Sequence, residues 1–174
     1  MIEFAHAFDA PVYIHEADRQ WTARPDDAIV YLQGDTREIG DGLTLINAGV
    51  HFGGGQVLHW AGGQVPHWAG GQEGAGGQEG TGVLFSGDIM AVVPDRRYVS
   101  FMRSYPNLIP ERPRTIRRAL AMLDPFSFDR VYGAWWQRIV HADGAAAVRR
   151  PADRYLSFAL DDDPPGDAQG RAGT

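Results

Sequence analysis

Two stretches of the chain carry residues whose types and spacing could do chemistry. Residues 47–55 read Asn-Ala-Gly-Val-His-Phe-Gly-Gly-Gly and put His51 in a glycine-flanked turn directly after an apolar run. Residues 82–88 read Gly-Val-Leu-Phe-Ser-Gly-Asp and put Asp88 just beyond a second apolar run. An imidazole and a carboxylate at neighbouring strand ends could converge on one ion, since both are good ligands for zinc or iron. Glycine beside each lets the backbone turn sharply enough to aim the side chain. The plainer alternatives are a turn histidine without a ligand role and an Asp that caps a turn or a helix.

The remaining polar candidates say less. His59 and His67 recur as His-Trp, but inside a duplicated unit, so duplication alone explains the recurrence. His15 follows an apolar run and precedes Glu16, which suits a polar strand end or the rim of a pocket. His6 and His141 carry no argument and are expected to face solvent. Trp135 and Trp136 are neighbours on an expected strand, so one should enter the core and the other face a pocket. Arg96 and Arg97 could meet an anionic substrate, although paired arginines are more often a solvated loop. Ser86 and Ser104 have no base at triad spacing, so nucleophilic catalysis is unsupported.

The elements that must position these residues follow from periodicity. Residues 2–9 are expected to be helical, with Phe4 and Phe8 one turn apart, and residues 10–14 to be a strand buried in a sheet. Residues 28–33, 43–48, 56–60 and 83–86 read as further strands, with 38–42 a turn in which Asp41-Gly42 suits positive φ. Pro113 opens a helix to about Leu123 with Ile116, Leu120 and Leu123 on one face. Residues 128–136 read as a strand. Residues 143–160 read as a last helix, kinked or restarted at Pro151.

Between two of those strands the eight-residue unit at 54–61 repeats at 62–69, and a six-residue unit at 70–75 repeats at 76–81. This glycine-rich insertion, at 62–81, is expected to be a flexible loop at a hairpin tip. Residues 161–174, rich in Asp, Pro and Gly, should be a disordered acidic tail, leaving residues 1–160 as one domain.

Composition sets outer limits. A chain of 174 residues, 44% hydrophobic, suffices for one domain with a core. Half of the net charge of −6 sits at residues 161–174 and the body is mildly acidic, so a nucleic-acid surface is disfavoured. Without Cys there is no disulfide and no thiolate chemistry; without Lys there is no Schiff base and no phosphate-loop lysine. No stretch is long enough to span a membrane and no secretion signal opens the chain, so a soluble cytoplasmic protein is expected.

The order strand, Gly49-x-His51-x-x-Gly54, strand, then an apolar strand ending in Ser86-Gly87-Asp88 resembles the metallo-β-lactamase superfamily, over roughly residues 1–160. The runs at 100–107 and 133–136 look like one subgroup of it. The resemblance implies an α/β fold, here a partial αββα sandwich in which a mixed sheet is flanked by helices. It implies that His51 is a metal-binding histidine and that Asp88 bridges two metals and orients the attacking water. In intact relatives the metal, zinc or else iron or manganese, serves hydrolysis of an ester, amide or phosphodiester in a small-molecule substrate.

The departures are as informative. The family's His-x-His-x-Asp-His signature is absent, and the chain opens within a helix-then-strand unit, as if Met1 were an internal start. Gly133-Ala134-Trp135-Trp136 stands where the last ligand histidine belongs, and His141 comes too late. One His and one Asp fall short of the about three protein ligands of a catalytic zinc. The chain is therefore expected to be inactive alone. The rival expectation is a non-catalytic module whose exposed sheet face pairs with a partner chain or forms a homo-oligomer.

Overall fold

Apolar residues at alternate positions of residues 43–47, 56–60 and 83–87 generate the centre of the molecule. The structure is a computed structural model and describes residues 1–62 and 82–159. The flexible-loop reading of 63–81 and the disorder expected for 161–174 lie outside the described residues. In chain order the described elements are α1 (Ile2–Phe8), β1 (Val12–His15), a 3-10 helix (Glu16–Trp21), β2 (Ile29–Leu32), β3 (Thr36–Gly40), β4 (Leu43–Asn47), β5 (Gln56–Trp60) and β6 (Val83–Gly87). The short strands β7 (Ala91–Val92), β8 (Val99–Ser100), β9 (Met102–Ser104) and β10 (Ile109–Pro110) follow. Then come α2 (Pro113–Leu123), β11 (Arg130–Gly133), β12 (Ile139–Val140) and α3 (Gly144–Ala159).

Six strands form one mixed sheet in the order β12-β11-β6-β5-β4-β3, with β11 parallel to β6 and the other neighbours antiparallel. The protein is thus a mixed α/β fold. Strand alternation gives the sheet two unlike faces. On one, Ile46, Val57, Leu84 and Val131 are almost wholly excluded from water and pack against Ile116, Ala119 and Leu123 of α2 and Ala147, Val148 and Ala152 of α3. Each such aliphatic side chain contributes about 1.5–3 kcal/mol of burial. On the other, Leu45, Leu58, Phe85 and Tyr132 stand in register across four strands and are only half-buried. Phe85 and Tyr132 stack there with ring centres 5.4 Å apart.

The N-terminal strand departs from expectation. Rather than being buried in the large sheet, β1 pairs in parallel with β2 alone, and Tyr13 is 36% exposed. Ile2 and Ala5 of α1 with Ile29 and Leu32 of β2 are buried but stand apart from the main core. A strand, β3, replaces most of the expected turn at 38–42, and the turn shrinks to Asp41-Gly42, whose φ values of 49° and 72° suit a tight hairpin.

The strand expected over 128–136 is confined to Arg130–Gly133. Trp135 and Trp136 then fall on the turn into β12, where the Arg138 N–H donates to the Trp135 carbonyl. They are 68% and 98% exposed, so neither enters the core. Helix α3 runs through Pro151 without a restart, its flanking Val148 and Ala152 both buried. Among the described residues no helix is long and apolar enough to cross a membrane.

Candidate functional site

Register brings the chemistry-bearing loops together. Asn47 pairs with Gln56, β5 runs antiparallel to β6, and Gly133 pairs with Gly87. The end of β4, the start of β5 and the ends of β6 and β11 therefore share one edge of the sheet, and both His51 and Asp88 lie on loops there.

The His51 loop is held tightly. Its residue 51 has φ of 68°, a left-handed conformation that costs a non-glycine residue about 1–2 kcal/mol. Compensation comes from three bonds. The His51 N–H donates to Glu111 Oε2 at 3.2 Å, and its carbonyl accepts from Arg103 Nη1 at 2.8 Å. Its Nδ1 lies 3.2 Å from the Arg103 carbonyl, which can only accept, so Nδ1 carries a proton and Nε2 is the ring nitrogen left for a ligand in the neutral form. Glu111, 3% exposed, also accepts the Arg112 N–H at 2.8 Å. A Cβ on Gly55 would stand 2.2 Å from the Val50 carbonyl oxygen and 2.8 Å from Ile89 Cδ1. The loop thus rests directly on the residue after Asp88.

Asp88 follows Gly87, whose φ is 53°, and its side chain is exposed. The turn is fixed by the Ile89 N–H to the Ser86 carbonyl at 3.0 Å and by Ser86 Oγ donating to the Met90 carbonyl at 2.7 Å. Tyr105 joins the two loops: its ring meets His51 edge-on at 5.5 Å, while its hydroxyl donates to the Asp88 carbonyl at 2.9 Å. Burial pushes the Tyr105 phenol above its ordinary pKa, and the nearby Asp88 charge adds to the rise. His51 and Asp88 accordingly flank one tyrosine.

Other candidates are engaged elsewhere. His15 Nδ1 accepts the Ala17 N–H and its Nε2 lies 3.0 Å from the Gly34 carbonyl, so neither nitrogen is spare. His59 is buried against Phe126 with Nε2 2.9 Å from the Ser127 carbonyl; its duplicate His67 lies outside the described residues. His6 meets Asp26 at 2.9 Å, and His141 is exposed. Arg97 pairs with Asp95, whose carboxyl is held down to about 2 chiefly by that guanidinium, and Arg96 bonds the Val93 carbonyl. Glu111 and Asp18, which accepts the Gly54 N–H at 2.9 Å, have no signal of their own in the sequence; Arg103 and Tyr105 have only their place in the run at 100–107.

Among the described residues no group of three or more His, Cys, Asp or Glu side chains gathers where it could hold a metal ion. His51 and Asp88 are two donors of suitable type, but a catalytic zinc takes about three protein ligands. They do not by themselves fit a resident catalytic metal, and no reaction step runs through one here.

No family model matches the chain, and no solved structure matches it. It is similar to the uncharacterized protein YmaE of Bacillus subtilis (strain 168), with 41% identity over 155 residues, which is 89% of this chain and 51% of that protein. The chain spans about half the length of the curated relative it matches.

Proposed function

We propose that this chain carries a ligand pair, His51 and Asp88, of a metallo-β-lactamase-like hydrolase built on a partial αββα sandwich. Hydrolysis by the chain alone is not expected. The protein is taken to be cytoplasmic, as its sequence leads one to expect. The observation that carries the reading is the bond from His51 Nδ1 to the Arg103 carbonyl, which leaves Nε2 as the ring nitrogen available to a ligand, on the same sheet edge as Asp88. Metal-binding histidines are fixed in the same way, through the nitrogen that does not bind. Zinc, iron and manganese all accept imidazole with carboxylate. In a complete centre such a metal supplies a nucleophilic hydroxide and polarises the ester, amide or phosphodiester of a small-molecule substrate. His51 and Asp88 would hold it, and Tyr105 and Glu111 would keep their two loops in place.

Manganese titration followed by NMR line broadening tests this. We expect selective broadening of residues 49–55 and 86–90, abolished by His51→Ala, and no metal-dependent turnover of ester, amide or phosphodiester substrates. Broadening spread evenly over the acidic surface, or unchanged by His51→Ala, sinks the ligand pair. Turnover by the chain alone would overturn the claim that two ligands are too few.

A second reading is favoured by the half-buried row Leu45, Leu58, Phe85 and Tyr132, a sheet face more apolar than a solvated surface needs. In it the chain is a non-catalytic module whose sheet face meets a partner chain or a second copy. Sedimentation velocity should then reveal concentration-dependent association. A monomer at every concentration would remove the homo-oligomer.

A further inference from the structure

A hollow of about 450 Å³ opens beside the His51 loop, with Ile2, Ile14, Trp21 and Phe52 as its apolar wall. That volume falls in the range of small-molecule sites. Trp21 and Phe52 meet edge to face, ring centres 6.5 Å apart and planes at 64°, and remain 65% and 42% exposed. Phe52 in turn meets the His51 ring edge-on at 4.7 Å. A row of rings therefore runs from the hollow, through His51 and Tyr105, to the Asp88 turn.

Two carboxylates, Glu3 and Asp18, and two cations, Arg24 and the Met1 ammonium, line this hollow, but they are not shared evenly. Glu3 takes both cations, Arg24 at 2.8 Å and the Met1 ammonium at 3.4 Å; its carboxyl is held down to about 2, first by a backbone hydrogen bond and then by the guanidinium. Asp18 has no ion-pair partner among the described residues. Its Oδ1 is spent on the Gly54 N–H, and the carboxyl packs so closely that a Cβ on Gly54 would come within 2.8 Å of it. A fixed carboxylate with one oxygen unspent thus lies beside two open aromatic faces. Ring quadrupoles and a carboxylate attract the same ligand, a cation with an apolar body, and repel anions.

We propose that this hollow binds an organic ammonium ion carrying an aryl or alkyl group, with Trp21 and Phe52 receiving the apolar body and Asp18 the charge. Binding stands on the hollow alone. Only the further step, that the ammonium is the non-reacting end of a substrate presented to His51 and Asp88, rests on the hydrolase reading.

Calorimetric titration of the full chain with phenethylammonium, phenethyl alcohol and phenylacetate separates the contributions. We expect saturable binding of the cation, roughly tenfold weaker binding of the alcohol, and none of the carboxylate. Trp21→Ala and Asp18→Asn should each weaken the cation about tenfold, with circular dichroism unchanged. The Asn oxygen still accepts from Gly54, so that variant removes only the charge. Equal binding of alcohol or carboxylate, no saturable binding of any probe, or cation binding untouched by both variants overturns the proposal. Ammonium binding that persists while the manganese response is missing would sink the hydrolase reading and leave this one standing.

Discussion

His51 sits in a conformation it does not prefer, so the bonds around it carry measurable energy. The buried Glu111 carboxylate accepts two backbone N–H groups, those of His51 and Arg112. Glu111→Ala takes the charged acceptor from both part-buried donors, and we expect a loss of about 2 kcal/mol in urea unfolding. An unchanged midpoint would show that water replaces the carboxylate at no cost. Two glycines, Gly55 in this loop and Gly34 between β2 and β3, separate lack of space from backbone conformation. Gly55→Ala drives a methyl into a carbonyl oxygen and should cost about 3 kcal/mol or more, whereas Gly34→Ala, at φ of 87° with nothing within 4 Å, should cost only about 1. Equal losses would mean that the contacts around Gly55 give way at little cost. That His51 and Asp88 lie on loops at one end of the sheet could be read from sequence because each sits in a local strand-and-glycine pattern. Glu111 and Tyr105 could not, since they act on partners 60 and 17 residues away and no local pattern announces such a bond.

Period-two alternation in β4, β5 and β6 and the helical stripe of α2 were plain in the sequence because burial on one face dictates both. Strand β3, Thr-Arg-Glu-Ile-Gly, has a single large apolar residue and lies at the sheet edge, where charge is favoured over burial, so nothing marked it as a strand. The two tryptophans misled for the opposite reason. Their β-propensity suggested a strand, but the chain turns after Gly133 and leaves both in solvent. A kink or restart is expected at Pro151; no restart occurs, and Val148 and Ala152 on either side are buried within one continuous helix. The proline still lacks an N–H for the Ala147 carbonyl. Pro151→Ala restores that bond, and we expect a gain of about 1–3 kcal/mol in chemical denaturation. A lower midpoint would show that the ring's own packing outweighs the missing bond.

The molecule joins two layers of unequal strength. Between the large sheet and helices α2 and α3, side chains such as Ile46, Leu84, Ile116 and Val131 are fully buried. The layer of α1, β1 and β2 rests on Ile2, Ala5, Ile29 and Leu32, each 5–8% exposed, and on two ion pairs at its surface, Glu3–Arg24 and His6–Asp26. Less apolar area is removed from water there, so the smaller layer should open without the sheet. Acid should widen the difference. The Glu3 carboxyl is lowered from 4.5 to about 2, and that of Asp26 is lowered by the Ala28 N–H and then by His6. A depressed carboxyl stabilises the folded form above its ordinary pKa, and that contribution fades as pH falls toward the folded value. Both pairs are solvent-exposed, so salt should weaken them further. Amide hydrogen exchange, expressed as protection factors, is therefore expected to be weaker in β1 and β2 than in β5 and β6. Between about pH 4.5 and 2 the small layer should lose protection first while the sheet keeps its own. Equal protection in both layers across that range would mean that they unfold as a single cooperative unit, held together by contacts such as His15 with Asn47 and Asp18 with Gly54.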